Sequence, residues 1–81
     1  MKILYFASFR ERLKLDAETL DSAPPITGKQ LLDILHSRGE HWQTVLDPDK
    51  LLFAVNQEIC ALDTPLDDSD EVAFFPPVTG G

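Results

Sequence analysis

This chain has few of the residues that chemistry at a side chain usually needs. Among its 81 residues there is one cysteine, Cys60, so no disulfide can form within the chain and a reducing compartment fits. The two histidines, His36 and His41, would sit on different faces of a continuous helix, and no cysteine or acidic partner completes a metal ligand set. Cys60 has neither histidine near it in sequence and is expected to pack at a core or edge position. Gly28 and Gly39 are isolated and suit helix ends, so no glycine-rich phosphate loop is present. No acid, base or nucleophile constellation remains. The expectation is a chain that does not catalyse alone and binds no metal or cofactor of its own.

Other absences limit its surroundings. No apolar run approaches the ~18 residues of a membrane span, and Met1-Lys2-Ile3-Leu4 leads into charged sequence rather than a signal-cleavage site. Cytoplasmic residence without a membrane partner is expected. Four of the seven basic residues, Lys2, Arg10, Arg12 and Lys14, lie near the start, and none follows Lys50. Beyond it come Glu58, Asp63, Asp67, Asp68, Asp70 and Glu71, in a chain of net charge -7. That balance argues against nucleic acid, whose binding draws on lysine and arginine, and favours an electropositive protein surface. Asp67, Asp68 and Asp70 also suit turns.

With 43% hydrophobic residues, the chain can build one small core without room for a buried ligand pocket. Lys2 to Phe9 is apolar on both alternating faces, Ile3 and Tyr5 on one, Leu4 and Phe6 on the other. This predicts a central strand, with a buried helix the alternative that periodicity alone leaves open, followed by a charged connection over Arg10 to Lys14 with room for one helical turn. Leu15 to Leu20 reads as an edge strand, and Pro24-Pro25 redirects the chain. Thr27 and Gln30 have capping-box spacing, with Ile26 placed to staple onto Leu31. The helix they start carries Leu31, Leu32, Ile34 and Leu35 as its apolar stripe and should stop at Gly39. A shorter helical segment, Glu40 to Leu46, places Trp42, Val45 and Leu46 inward, and Asp47-Pro48-Asp49 closes it. Leu51 to Val55 predicts a second central strand, turning at Asn56-Gln57 into a short strand over Glu58 to Leu62. Turns are expected at Asp63-Thr64-Pro65 and Asp67 to Asp70. Two strands, a helix and further strands make an α+β roll, one sheet covered by one main helix.

The final stretch organises the rest. Glu71 to Phe75 predicts a strand with Val72 and Phe74 on one face, Ala73 and Phe75 on the other. Pro76 and Pro77 cannot donate to a ladder, so pairing should stop there. The expected division is a folded domain over residues 1–76 and an extended tail over residues 77–81, Pro77, Val78, Thr79, Gly80 and Gly81. At ~3.3 to 3.6 Å per residue the tail can reach about 17 Å, far enough to enter another protein's active site. Gly80 and Gly81 lack side chains and can pass a channel that any Cβ would block. The group delivered would be the α-carboxylate of Gly81. A diglycine ending is equally what a merely loose terminus contains. Phe6 and Phe75 fall on the face that one helix leaves uncovered, where each either forms an interface or is buried within the domain.

Leu51-Leu52-Phe53-Ala54-Val55-Asn56-Gln57, Pro65-Leu66 and Asp70-Glu71-Val72-Ala73-Phe74-Phe75-Pro76-Pro77-Val78-Thr79-Gly80-Gly81 closely resemble the small, sulfur-carrying subunits of molybdopterin synthase. The likeness covers the whole chain in length and element order. It implies the ubiquitin-like β-grasp fold, with first and last strands parallel at the sheet centre. It further implies that a ubiquitin-activating-like adenylyltransferase uses ATP to adenylate Gly81, and that a sulfurtransferase supplies sulfur to leave a C-terminal thiocarboxylate. The tail would then enter the large synthase subunit, in a heterotetramer of two small and two large subunits, and give sulfur to cyclic pyranopterin monophosphate. Family interface positions fall on Phe6, Ile59 and Phe75. A protein modifier conjugated through Gly81 would share fold and diglycine. The sulfur carrier of thiamin synthesis is the third possibility, against which the Phe-Phe-Pro-Pro approach and the extra helical segment argue.

Overall fold

The computed structural model describes residues 1–21 and 26–77. The expected turn at Pro24-Pro25, and the tail positions Val78, Thr79, Gly80 and Gly81, lie outside the described residues. In chain order the elements are β1 (Lys2–Tyr5), α1 (Ala7–Leu13), β2 (Ala17–Thr19), β3 (Ile26–Thr27), α2 (Gly28–His36), α3 (Glu40–Val45), β4 (Leu52–Val55), β5 (Glu58–Ile59), β6 (Pro65–Leu66) and β7 (Glu71–Phe75). A 3-10 turn at Pro48–Lys50, capped where Asp47 accepts from the Asp49 N–H at 2.9 Å, joins α3 to β4.

The main sheet runs β2-β1-β7-β4-β5, so the last strand occupies the centre. β1 and β7 pair in parallel, Leu4 opposite Ala73 and Tyr5 opposite Phe74, while β4 pairs antiparallel on the other side of β7. This is the α+β architecture expected of the β-grasp. Asn56 and Gln57, at φ 51° and 72°, make the tight turn between β4 and β5.

Alternation along the strands separates two faces. Ile3, Tyr5, Phe53, Val72 and Phe74 point toward the helices and meet Leu31, Leu32, Leu35, Val45 and Leu46 in one core. Phe74 anchors it, 5.3 Å from the Phe53 ring and 6.2 Å from the Tyr5 ring, centroid to centroid. The α2 start follows its sequence signal: Thr27 accepts from the Gln30 N–H at 3.2 Å, and Gln30 Oε1 accepts from the Thr27 N–H at 2.9 Å. Gly28 opens the helix because a Cβ there would stand 2.8 Å from the Phe53 ring.

Four expectations change. The first strand ends at Tyr5, not Phe9, because Ala7 adopts φ 53° and swings the chain into α1, which buries Phe9 and exposes Arg10, Glu11 and Arg12. Spacing of Phe9 and Leu13 by four is a helical signal that the alternating run before it obscured. Ile34 stays 40% exposed, since it lies about 100° around α2 from the centre of the Leu31, Leu32 and Leu35 stripe. That helix also stops earlier, at His36, and Gly39, at φ 138°, instead precedes α3. Finally, Pro65, expected to end the Asp63-Thr64-Pro65 turn, instead begins a strand with Leu66 that pairs with Ile26–Thr27 as a second, two-stranded sheet.

Candidate functional site

The helix-free face of the main sheet carries a depression of about 350 Å³ lined by Leu4, Phe6, Ala54, Gln57, Ile59, Glu71, Ala73 and Phe75. Its form follows from register. Leu4 faces Ala73, Ala73 faces Ala54, and Ala54 faces Ile59, so two alanines make a low floor between two taller aliphatic walls. Along β7 the same face presents Glu71, Ala73 and Phe75, giving the trough one acidic end and one aromatic end.

At the aromatic end, Phe6 and Phe75 meet edge to face at 6.3 Å between ring centroids. Phe6 is held there by its position between β1 and α1. Its backbone stays extended, its N–H donates to the Phe74 carbonyl at 3.2 Å, and the left-handed turn at Ala7 then carries the chain away. The ring remains 43% exposed, and Ile59 across the trough is 65% exposed. Phe6, Ile59 and Phe75, dispersed in sequence, thus share one concave apolar surface.

β7 ends at Phe75, and after the half-buried Pro76, Pro77 is exposed. A chain leaving through two prolines cannot extend the ladder, so its departure point adjoins the aromatic end. Of the tail positions singled out in sequence, Pro77 alone is described. Val78, Thr79, Gly80 and Gly81 lie outside the described residues.

The opposite end is negative and tightly tied. Asp70 accepts from the Asp67 N–H at 2.7 Å and the Asn56 side-chain amide at 3.0 Å, bonds that hold its carboxyl below the usual range. Asn56 also exchanges two bonds with Glu71: its N–H donates to the Glu71 carbonyl at 2.7 Å, and its side-chain oxygen accepts from the Glu71 N–H at 3.1 Å. Asp68 pairs with the Met1 ammonium at 3.4 Å. Arg10 and Arg12, exposed on α1, make no such network among the described residues.

The polar cluster on the helix side is a lock. Arg38 donates through both terminal nitrogens to Glu18, at 2.7 and 2.8 Å, while its guanidinium lies 4.5 Å from the Trp42 ring centroid. The Tyr5 hydroxyl donates to the same carboxylate at 2.7 Å. Arg38 hydrogen bonding holds Glu18 below the usual glutamate range, and burial, then Glu18, pushes the Tyr5 phenol well above its own. These groups join edge strand β2 to the helices. His36 and His41 bond the Leu46 and Arg12 carbonyls, each at 2.7 Å, and Cys60 packs half-buried against the core. Among the described residues no group of three or more His, Cys, Asp and Glu side chains could hold a metal ion, and no helix is long and apolar enough to cross a membrane.

Sequence reasoning did not find Leu4, Ala54, Gln57, Glu71 and Ala73 as parts of the trough. The Glu71-Ala73-Phe75 alternation was visible, but the register that sets two alanines side by side was not.

Comparisons with known proteins bear on the whole chain. The model of the ThiS family matches residues 3–81. The molybdopterin synthase sulfur carrier subunit of Escherichia coli (strain K12) is 44% identical over 81 residues, covering 100% of this chain and 99% of that protein. The protein of the same description from Haemophilus influenzae is 38% identical, with 100% and 99% covered. In structure, SAMP1 from Haloferax volcanii is similar at a TM-score of 0.82 and 28% identity, covering 100% of this chain and 98% of that one. A chain of the protein-protein complex of subunits 1 and 2 of molybdopterin-converting factor from Helicobacter pylori is similar at a TM-score of 0.69 and 26% identity, with 99% and 96% covered.

Proposed function

The chain belongs to the ThiS family, and on that premise we propose that it is the sulfur carrier subunit of a molybdopterin synthase, acting through the α-carboxylate of Gly81. The observation that carries this reading is full-length identity of 44% to a protein described as such a subunit. The trough supports it, because Phe6, Ile59 and Phe75 form one apolar docking surface beside the point where the chain leaves β7.

A carboxylate is a poor electrophile, since oxide would have to leave. An adenylating partner solves this by joining the Gly81 carboxylate to the α-phosphoryl group of ATP, releasing pyrophosphate and leaving AMP as a good leaving group. Persulfide sulfur delivered by a sulfurtransferase displaces AMP, a thiol reduces the acyl disulfide so formed, and the thiocarboxylate released carries a soft nucleophile. The tail then enters a large subunit, where basic residues hold cyclic pyranopterin monophosphate. The sulfur attacks carbon in exchange for an oxygen of the precursor, and water cleaves the acyl–sulfur bond, so the sulfur stays on the pterin and Gly81 returns as a carboxylate. A dithiolene has two sulfurs, so two loaded tails serve each product, in keeping with a heterotetramer of two small and two large subunits. This chain contributes docking and reach, with its cytoplasmic setting part of the same reading; acid-base steps belong to the partner. The same trough would serve the activating enzyme and the large subunit in turn, since one tail cannot be in two active sites.

Intact mass spectrometry after incubation with the activating enzyme, ATP and a sulfur source tests the reading. Exchange of one oxygen for sulfur, located at Gly81, is expected. Deletion of Gly81 should abolish product formation and leave the circular dichroism spectrum unchanged; product formed by the truncated chain would overturn the mechanism. The similarity to a structure described as H. volcanii small archaeal modifier protein 1, at a TM-score of 0.81 and 26% identity, supports a second reading, a ubiquitin-like protein modifier. Isopeptide-linked adducts without oxygen-for-sulfur exchange would select it.

A further inference from the structure

Among the described residues, Glu71 is the one charged side chain lining the trough, and no hydrogen bond or ion pair reaches its carboxylate. Its backbone is fixed on both sides by Asn56, at 2.7 and 3.1 Å, so the fold uses its main chain and leaves its side chain uncommitted. Lys2 stands opposite it in the β1–β7 register and is exposed, yet forms no ion pair with it. Gln57, whose side chain also has no hydrogen-bond partner among the described residues, borders the same depression. From this end the floor runs over Ala54 and Ala73 between Leu4 and Ile59 toward the Phe6–Phe75 edge.

An apolar slot ending in an unpaired carboxylate is complementary to a side chain that is apolar along its stem and cationic at its tip. Arginine fits better than lysine. Its planar guanidinium presents a fork to a carboxylate, with donors left for the Gln57 carbonyl oxygen, and is less strongly hydrated than an ammonium. Most of the neighbouring charge acts in the same direction: Glu58 follows Gln57 and Asn56 ties Asp70 to this end, with Lys2 the one opposing charge across the β1–β7 pair. We propose that the trough receives an arginine side chain of the protein partner, its stem across Ala54 and Ala73 and its guanidinium paired with Glu71. The inference rests on the docking reading above and adds the chemistry of the occupant.

Binding to a large molybdopterin synthase subunit, measured by titration calorimetry at low and high salt for the full-length wild-type chain, Glu71→Gln and Phe75→Ala, separates the two. Glu71→Gln should keep the wild-type melting temperature, weaken binding roughly tenfold at low salt, and flatten the salt dependence. Phe75→Ala should weaken binding and keep the wild-type salt dependence. If Phe75→Ala weakens binding while Glu71→Gln binds as well as wild type, or more tightly, the slot takes an apolar group and the arginine inference falls alone. Weaker binding by Glu71→Gln with an unchanged salt slope would overturn it too, since no charge pair would have been lost. If Phe75→Ala leaves affinity unchanged, the docking face is wrong and the inference goes with it.

Discussion

Phe74 and Phe75 are adjacent on the central strand and have opposite surroundings. Phe74 is fully buried, packed on Tyr5 and Phe53 beneath the helices, whereas Phe75 lines the open trough against Phe6. The same contrast runs across the sheet: Ile3 against Leu4, Tyr5 against Phe6, Val72 against Ala73. Because strand side chains alternate strictly, one set of backbone hydrogen bonds supports two surfaces at once. The helix-covered surface holds the domain together, so the open one can be shaped for a partner at little cost to the fold.

The largest effect that would break this contrast is on the covered face. Phe74→Ala should lower stability by about 3–5 kcal/mol in urea denaturation, since it opens a cavity among rings that cannot collapse into it. A loss below about 1 kcal/mol would mean the core does not centre on β7. Next, Gly28→Ala should cost about 1–3 kcal/mol, because the added methyl meets the Phe53 ring at 2.8 Å and the Leu62 carbonyl at 3.0 Å. Equal melting temperatures for the two proteins would refute that close approach.

Phe75→Ala is the counterpart of Phe74→Ala on the open face. It should change stability by less than about 1 kcal/mol while weakening partner binding by about 1–2 kcal/mol. A stability loss as large as that of its neighbour would erase the distinction between the faces.

The smallest effect concerns the lock at the covered face's edge. Arg38 holds Glu18 below the usual glutamate range, so the folded state binds this proton less readily than the unfolded chain. The stabilisation is therefore full above the ordinary glutamate pKa and disappears as pH falls through the depressed folded value. Glu18→Gln should cost about 1 kcal/mol at neutral pH, a figure kept small because Arg38 is partly exposed, and nothing once Glu18 is protonated in acid. Denaturant midpoints that differ equally at both pH values would show that the carboxylate's charge is not involved.

Much of this was legible in the chain. The Thr27–Gln30 box marked the start of α2, and the Glu71 to Phe75 alternation assigned Val72 and Phe74 to one face before any pairing was known. Both are local signals, written by neighbours within a few residues. The misreadings have separate origins. Lys2 to Phe9 kept its apolar character across a real boundary, and only the left-handed backbone at Ala7, a conformation unusual for a side-chain-bearing residue, divides strand from helix. Pro65 reads as part of the Asp63-Thr64-Pro65 turn, and Leu66 as part of no element, because their strand partner, Ile26–Thr27, lies far away in sequence.

Residue order alone therefore determined which side chains share a face, where α2 begins, and that pairing must end at Pro76. These follow from periods of two and of 3.6 residues and from the missing N–H of proline. Which strands become neighbours was decided only by the closed tertiary structure. A trough floored by Ala54 and Ala73, walled by Leu4 and Ile59 and ended by Glu71 exists because β1, β7, β4 and β5 lie side by side in one register. Register between distant strands is selected by the core they jointly enclose, and that selection leaves no trace within any one segment.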